Sequence, residues 1–254
     1  MRKRWQNIIR FKWSALFLIA VLLGWQFLSG SGIVPRLILP SPLQVLHALI
    51  SEFGVLMVHA RITLWEAFIG LSLGLILSFA LAVMMERWEP VYQGLYPILV
   101  ITQTIPVIAI APLLVLWLGY GIAPKVTLVV LVCFFPVVVG LLDGFKTADR
   151  DAIHLLSAMG ANRWQIMRHI KLPVAMPSFF AGLKIAVAYS FVGAVIAEWL
   201  GGNAGLGVYM TRVKKAYAFD KMFAVILLII LISLLLMAVT KWIEGRVMVY
   251  RNYK

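Results

Sequence analysis

Catalysis or metal binding in this chain would rest on its four histidines, its single cysteine and its ten carboxylates. His47, His59, His154 and His169 show neither metal-ligand spacing nor clustering with carboxylates, so no metal site is expected. No Ser/His/Asp or Cys/His set can be assembled, and Cys133 lies in an apolar run where a packed thiol is the simpler reading. The nearest approach to a phosphate cradle is Gly144-Phe145-Lys146-Thr147, which lacks the paired glycines whose amides would hold a phosphate. The chain is therefore expected to hold no cofactor and to catalyse no reaction of its own. Its acidic residues fall at helix ends or in loops, apart from Glu66.

What remains is a chain built for lipid. Hydrophobic residues make up 63% and charged residues 13%, with a mean hydropathy of +0.96, against about 45–50% and about 25% in soluble domains. The net charge of +13 does not point to nucleic acid, because the basic residues are scattered between apolar runs rather than gathered on a polar face. The whole of 1–254 reads as one integral all-α domain.

Apolar runs at about 13–28, 62–85, 91–118, 126–142, 181–200 and 222–242 predict six transmembrane helices. Each is near the roughly 20 residues needed to cross a hydrocarbon layer of about 30 Å. Pro97, Pro106 and Pro112 interrupt the third, which is either kinked or split. The first resembles a signal peptide in having basic residues before it and Ser29-Gly30-Ser31 after it, but a retained helix is expected because further spans follow at once. With the N-terminus inside, fifteen Lys and Arg fall on cytoplasmic segments against seven outside, which predicts cytoplasmic N- and C-termini in an inner (cytoplasmic) cell membrane. Lys184 is expected to snorkel to the headgroups. The outer seven include Arg36, Lys125 and, as a concentrated exception on 201–221, Arg212, Lys214, Lys215 and Lys221.

Several polar positions stand out. Ser41, Pro42 and Gln44 have the spacing of a capping box and predict a short helix after the first span. Thr102, Gln103 and Thr104 form a polar patch midway along the third span, with Gln93 and Tyr96 near the same stripe; lining a translocation path and hydrogen bonding between helices are both open. Gly182, Ala186, Ser190 and Ala194 recur every four residues, which close helix packing explains. Glu198, at the outer end of that helix, is read as a gating residue or as a solvated headgroup-level carboxylate. Arg212, Lys214 and Lys215 are read either as a dock for an acidic binding protein or as a solvated turn.

The segment 143–180 between the fourth and fifth spans exceeds the roughly 2–8 residues of ordinary helix connections. It predicts two short helices. The first begins after Thr147 or Asp149, includes Asp151, presents Ile153, Leu156 and Met159 as an apolar face and stops at Gly160-Ala161. The second begins at Asn162 as N-cap with Gln165 at N3, carries Arg163 and is ended by Leu172-Pro173. Such a helix either lies on the membrane surface or buries its face on a partner.

Gly160, nine intervening residues, then Ile170-Lys171-Leu172-Pro173 resembles the cytoplasmic coupling motif of binding-protein-dependent ABC importer permeases. Leu39-Pro40-Ser41-Pro42, Ile105-Pro106 through Ala111-Pro112, Trp117-Leu118-Gly119-Tyr120-Gly121 and Gly205-Leu206-Gly207 are similar to the nitrate, sulfonate and taurine branch, which includes permeases for pyrimidine precursors of thiamine. His154, Leu155 and Leu156 stand where the family has Glu-Ala-Ala, so the acidic residue of the motif is missing. The resemblance implies a homodimer in the bilayer, two cytoplasmic ABC ATPase subunits that receive the coupling helix, an extracytoplasmic substrate-binding protein, and alternating access. An ion-coupled secondary transporter and a non-catalytic membrane scaffold are the competing classes. The first would show ionisable residues at mid-membrane, for which Glu66 is the one candidate.

Overall fold

The computed structural model describes residues 2–248 apart from 33, 36 and 37, with side chains described at Trp13 and from Leu16 onward. The basic side chains at 2–12, and Arg36, Arg251 and Lys254, lie outside what is described. In chain order the helices are α1 (Arg2–Gly30), α2 (Pro42–Ser51), α3 (Phe53–Arg87), α4 (Glu89–Thr102), α5 (Val107–Leu118), α6 (Ile122–Lys146), α7 (Arg150–Ala158), α8 (Arg163–Ile166), α9 (Leu172–Gly201), α10 (Leu206–Lys215) and α11 (Phe219–Val247). A π-helical turn, Met167–Lys171, joins α8 to α9. Among the described residues α3, α6, the run Arg163–Gly201 and α11 are each long and apolar enough to cross a membrane, and the pair α4 and α5 makes a fifth if counted as one span.

Residues 1–58 and 209–228 form one compact unit. Its core joins Val45 and Ala48 of α2 to Ala224 of α11, flanked by Trp25 and Phe223, whose rings lie 5.8 Å apart. The Trp25 indole N–H donates to Pro40 O at 3.0 Å. The expected capping box is present: the Gln44 N–H donates to Ser41 Oγ, and the Ser41 N–H to Gln44 Oε1 at 2.8 Å. After α2, Glu52 accepts from the Lys221 ammonium and the Tyr209 hydroxyl. The hydrogen bond from Lys221 holds the Glu52 carboxyl below the usual carboxylate range. A depressed folded-state pKa stabilises above the unfolded value and is lost as pH falls through the folded one. Both side chains are partly exposed, so the gain is below about 1 kcal/mol. Melting curves of wild type and Glu52→Gln should therefore differ at neutral pH and converge only once the pH has fallen below the usual carboxylate range.

Residues 59–208 and those described from 229 to 248 form the second unit. Its central feature is the close pairing of α6 with α9. Gly182, Ala186, Ser190 and Ala194 are all buried, as packing requires. A Cβ on Gly140 would sit 2.7 Å from Ser178 O, one on Gly144 would sit 2.6 Å from Ala175 Cα, and one on Gly182 would overlap the Pro136 carbonyl. Gly182→Val should therefore lower stability by about 3 kcal/mol, read as a fall in melting temperature of the detergent-solubilised protein. Lys184 does not snorkel freely but pairs with Glu244 of α11.

The run 91–118, expected as the third span, falls into two helices. α4 and α5 meet at 102°, with the break at residues 103–106. Pro106, extended at φ −60° and ψ 122°, disfavours helical backbone at the residue before it. The hydroxyls of Thr102 and Thr104 donate to Leu99 O and Ile101 O, carbonyls at the end of α4.

The second short helix does not end at Leu172-Pro173. The Leu172 N–H donates to Met167 O, five residues back. This wider turn leaves room for the Pro173 ring, which would press on the carbonyl four residues earlier in a regular α-helix. The helix then runs on through Pro173 and Pro177 as α9. The true connection between spans is thus 147–162, shorter than the sequence indicated.

Candidate functional site

The connection from α6 to α8 is locally determined at each joint. The Thr147 hydroxyl donates to Gly144 O at 2.7 Å, closing α6. Asp149 caps α7, its carboxylate accepting from the Asp151 N–H at 2.9 Å. The C-terminus of α7 is a Schellman turn: the Gly160 N–H donates to Ser157 O and the Ala161 N–H to Leu156 O, both at 3.0 Å. Gly160 has φ +84°, a conformation that costs any other residue. Asn162 and Gln165 then form a reciprocal capping box that starts α8. Lys171, in the π-turn, pairs with Glu86 near the end of α3. The linker is a chain of capped turns rather than a loose loop.

The face of α7 differs from the expected one. Ile153 and Leu156 are half-buried, and Ile153 helps to line a cavity of about 530 Å³ with Val83, Glu86, Trp164, Ile166 and Lys171. Met159 is 76% exposed and Leu155 is 61% exposed. Steps of three drift by about 60° per step on a helix of 3.6 residues per turn, so Met159 lies far round from Ile153. The outward face instead carries Asp151, His154, Leu155 and Met159, with Trp164 exposed nearby. Gly160 and Arg163 are also exposed, while Ala161, Ile170, Leu172 and Pro173 are half-buried.

The other expected sites fall elsewhere. Gln93 donates to Glu89 at 3.0 Å, and Tyr96 stacks on Tyr92, beneath the Lys146 ammonium. Thr102, Gln103 and Thr104 are exposed at the α4–α5 break, with Thr102 about 14 Å beyond Gln93 and about 9 Å beyond Tyr96 by helical rise, so the five residues do not form one cluster. Arg212, Lys214 and Lys215 occupy the last turn of α10, exposed, where cations suit the carbonyl end of a helix.

A buried polar cluster was not foreseen. Glu198 is 1% exposed and is not a solvated headgroup carboxylate. Its Oε1 accepts from the Thr63 hydroxyl at 2.7 Å and its Oε2 from the Gly207 N–H at 2.6 Å. The Leu206 N–H donates to Thr63 Oγ1 and the Gly205 N–H to His59 Nδ1. Beside them Lys125, which the sequence placed among the outer cations, is buried in α6 and reaches Glu66 Oε1 at 2.6 Å. His59, Thr63 and Glu66 line up on α3. The cluster clamps the segment 202–207 onto α3 and α9, and the two glycines of Gly205-Leu206-Gly207 are where it allows no side chain. A Cβ on Gly205 would overlap the Glu198 carboxylate, and one on Gly207 would overlap Val195 O.

Residues 70–249 match the family described as binding-protein-dependent transport system inner membrane component. The chain is 38% identical to a probable ABC transporter permease protein of Haemophilus influenzae, over 91% of this chain and 95% of that one. It is 37% identical to the formylaminopyrimidine transport permease protein ThiX of Halalkalibacterium halodurans, over 93% and 95%. Its fold is similar to that of the inward-facing MetNI methionine ABC transporter, with a TM-score of 0.68 and 18% identity over 78% of this chain and 98% of that one. The family has its ATPase on a separate subunit, in keeping with a sequence that lacks a phosphate cradle. A multi-pass helical bundle with this family match across most of its length leaves one assignment: the chain belongs to the binding-protein-dependent transport system inner membrane components and is the permease subunit of an ABC importer.

Proposed function

We propose that the chain works as a homodimer with two cytoplasmic ATPase subunits and an extracytoplasmic binding protein, importing a small pyrimidine-type solute by alternating access. Its six spans are α1, α3, the α4–α5 pair, α6, the α8–α9 run and α11, with both termini in the cytoplasm. The excess of Lys and Arg on that side supports this orientation. So does the partnering of two opposing cations, Lys125 with Glu66 and Lys221 with Glu52.

The observation that carries the reading is α7, a short helix fixed at both ends by caps and presenting Leu155 and Met159 outward beside Trp164. Exposed apolar side chains on a rigid mount are what a groove in a partner subunit can grip. With Asp151, His154, Gly160, Ala161 and Arg163 they form the contact with the ATPase, while Ile153, Leu156, Ile170, Leu172 and Pro173 set the helix against its own bundle. Closure of the ATPase dimer is passed to α9 through the π-turn. The break at Thr102, Gln103 and Thr104 supplies a polar wall to the solute path, with Gln93 and Tyr96 nearer one end. Arg212, Lys214 and Lys215 meet an acidic rim on the binding protein. The likeness to the relative ThiX supports the pyrimidine class of solute.

Uptake of radiolabelled formylaminopyrimidine into vesicles holding the whole complex tests this. ATP-dependent accumulation that survives collapse of the ion gradients is expected. Accumulation that ignores ATP and runs down an ion gradient would reject it.

A further inference from the structure

We infer that Glu66 and Glu198 share one buried proton, carried on Glu66, so that Lys125, Glu66 and Glu198 form an electrically neutral triad. Counting donors leads there. Both Glu198 oxygens are served, one by the Thr63 hydroxyl and one by the Gly207 N–H. Glu66 accepts the Lys125 ammonium on Oε1, but its buried Oε2 receives no donor. Glu66 stands one helical turn after Thr63 on α3, on the same face, which sets its carboxyl beside the Glu198 carboxylate that Thr63 holds. Two neighbouring buried carboxylates, both ionised beside a single ammonium and away from water, would leave one net negative charge and repel each other. A proton on Glu66 Oε2 removes both faults. It turns the orphan acceptor into a donor toward Glu198, and the charges of Lys125 and Glu198 then cancel.

The remaining polar groups fit this placement. His59 uses Nδ1 as an acceptor for the Gly205 N–H. Thr63 donates to Glu198 while accepting from the Leu206 N–H. Glu198 is thus a positioning residue that holds the segment 202–207, and the buried Glu66 is a structural acid rather than an ion-coupling site.

The proton's seat decides which isosteric change is harmless. Gln at 66 keeps a carbonyl for Lys125 and an N–H for Glu198, whereas Gln at 198 must turn an N–H₂ toward a donor. In the purified permease, Glu66→Gln is expected to melt as wild type does, and Glu198→Gln to melt roughly 5 °C lower. Infrared difference spectra at neutral pH should show a protonated carboxylic acid carbonyl in wild type that is absent from Glu66→Gln. If single substitutions fold poorly, charge balance gives a second reading: Lys125→Met should be rescued by adding Glu198→Gln and not by adding Glu66→Gln. Absence of the acid band from wild type, tolerance of Glu198→Gln with failure of Glu66→Gln, or rescue by the opposite partner would each overturn the inference.

Discussion

Replacing Leu155 and Met159 together with aspartate should lower ATP-driven uptake roughly a hundredfold while leaving the purified permease as stable as wild type. Both side chains are exposed, at 61% and 76%, so no internal packing is lost. Anchors buried in a partner's pocket are worth about 2 kcal/mol each, and every 1.4 kcal/mol is a factor of ten in binding. Two anchors replaced by charges would leave the ATPase dimer turning over without a grip. Gly160→Pro should produce the same uncoupling by another route. Its φ of +84° is closed to proline, and the lost N–H breaks the bond to Ser157 O that ends α7. ATPase turnover in the assembled complex, measured beside uptake, separates uncoupling from failure to assemble. A double variant that transports at the wild-type rate would show that this face of α7 carries no coupling.

The second large effect is expected at the buried polar cluster. Gly205→Val should cost more than about 4 kcal/mol and sharply reduce the yield of folded protein. The strained φ of +123° contributes about 1–3 kcal/mol and overpacking a comparable amount. The new Cβ would fall on the Glu198 carboxylate, which would then lose its place against Thr63 and the Gly207 N–H. Thermal melts and size-exclusion profiles in detergent read the result directly. A melting temperature within a few degrees of wild type would mean that the clamp on 202–207 is far softer than its geometry implies.

Local devices were legible in the sequence because a few adjacent residues determine them. Ser41 with Gln44, Asn162 with Gln165 and the glycine at 160 each close hydrogen bonds within a turn, and each appears where expected. The apolar runs were legible for a similar reason, since length and hydropathy are properties of a segment alone. What failed needed knowledge of a neighbour. Pro173 reads as a stop until the π-turn ahead of it, with Lys171 paired to Glu86, makes room for the ring. The face of α7 was misassigned because spacing gives an apolar stripe but not which side the bundle occupies. Glu198 looked like a headgroup carboxylate although it continues the four-residue row Gly182, Ala186, Ser190, Ala194, and that row is the buried face of α9. His59, Thr63 and Glu66 share a face of α3 in the same way. Their union with Glu198 and Lys125 crosses more than 50 residues of chain in each case, which no local pattern encodes.

On this reading α7 is the handle through which an ATPase subunit drives the permease. The chain's one native thiol, Cys133, is buried, so Met159→Cys adds a single exposed sulfhydryl at the tip of that helix. Thiol cross-linking of this variant in membranes containing the complete complex should give one adduct with the ATPase subunit, its yield changing between nucleotide-free and ATP-bound states. Labelling of the introduced thiol by a membrane-impermeant reagent from the outer side, with no ATPase adduct in either state, would contradict the account.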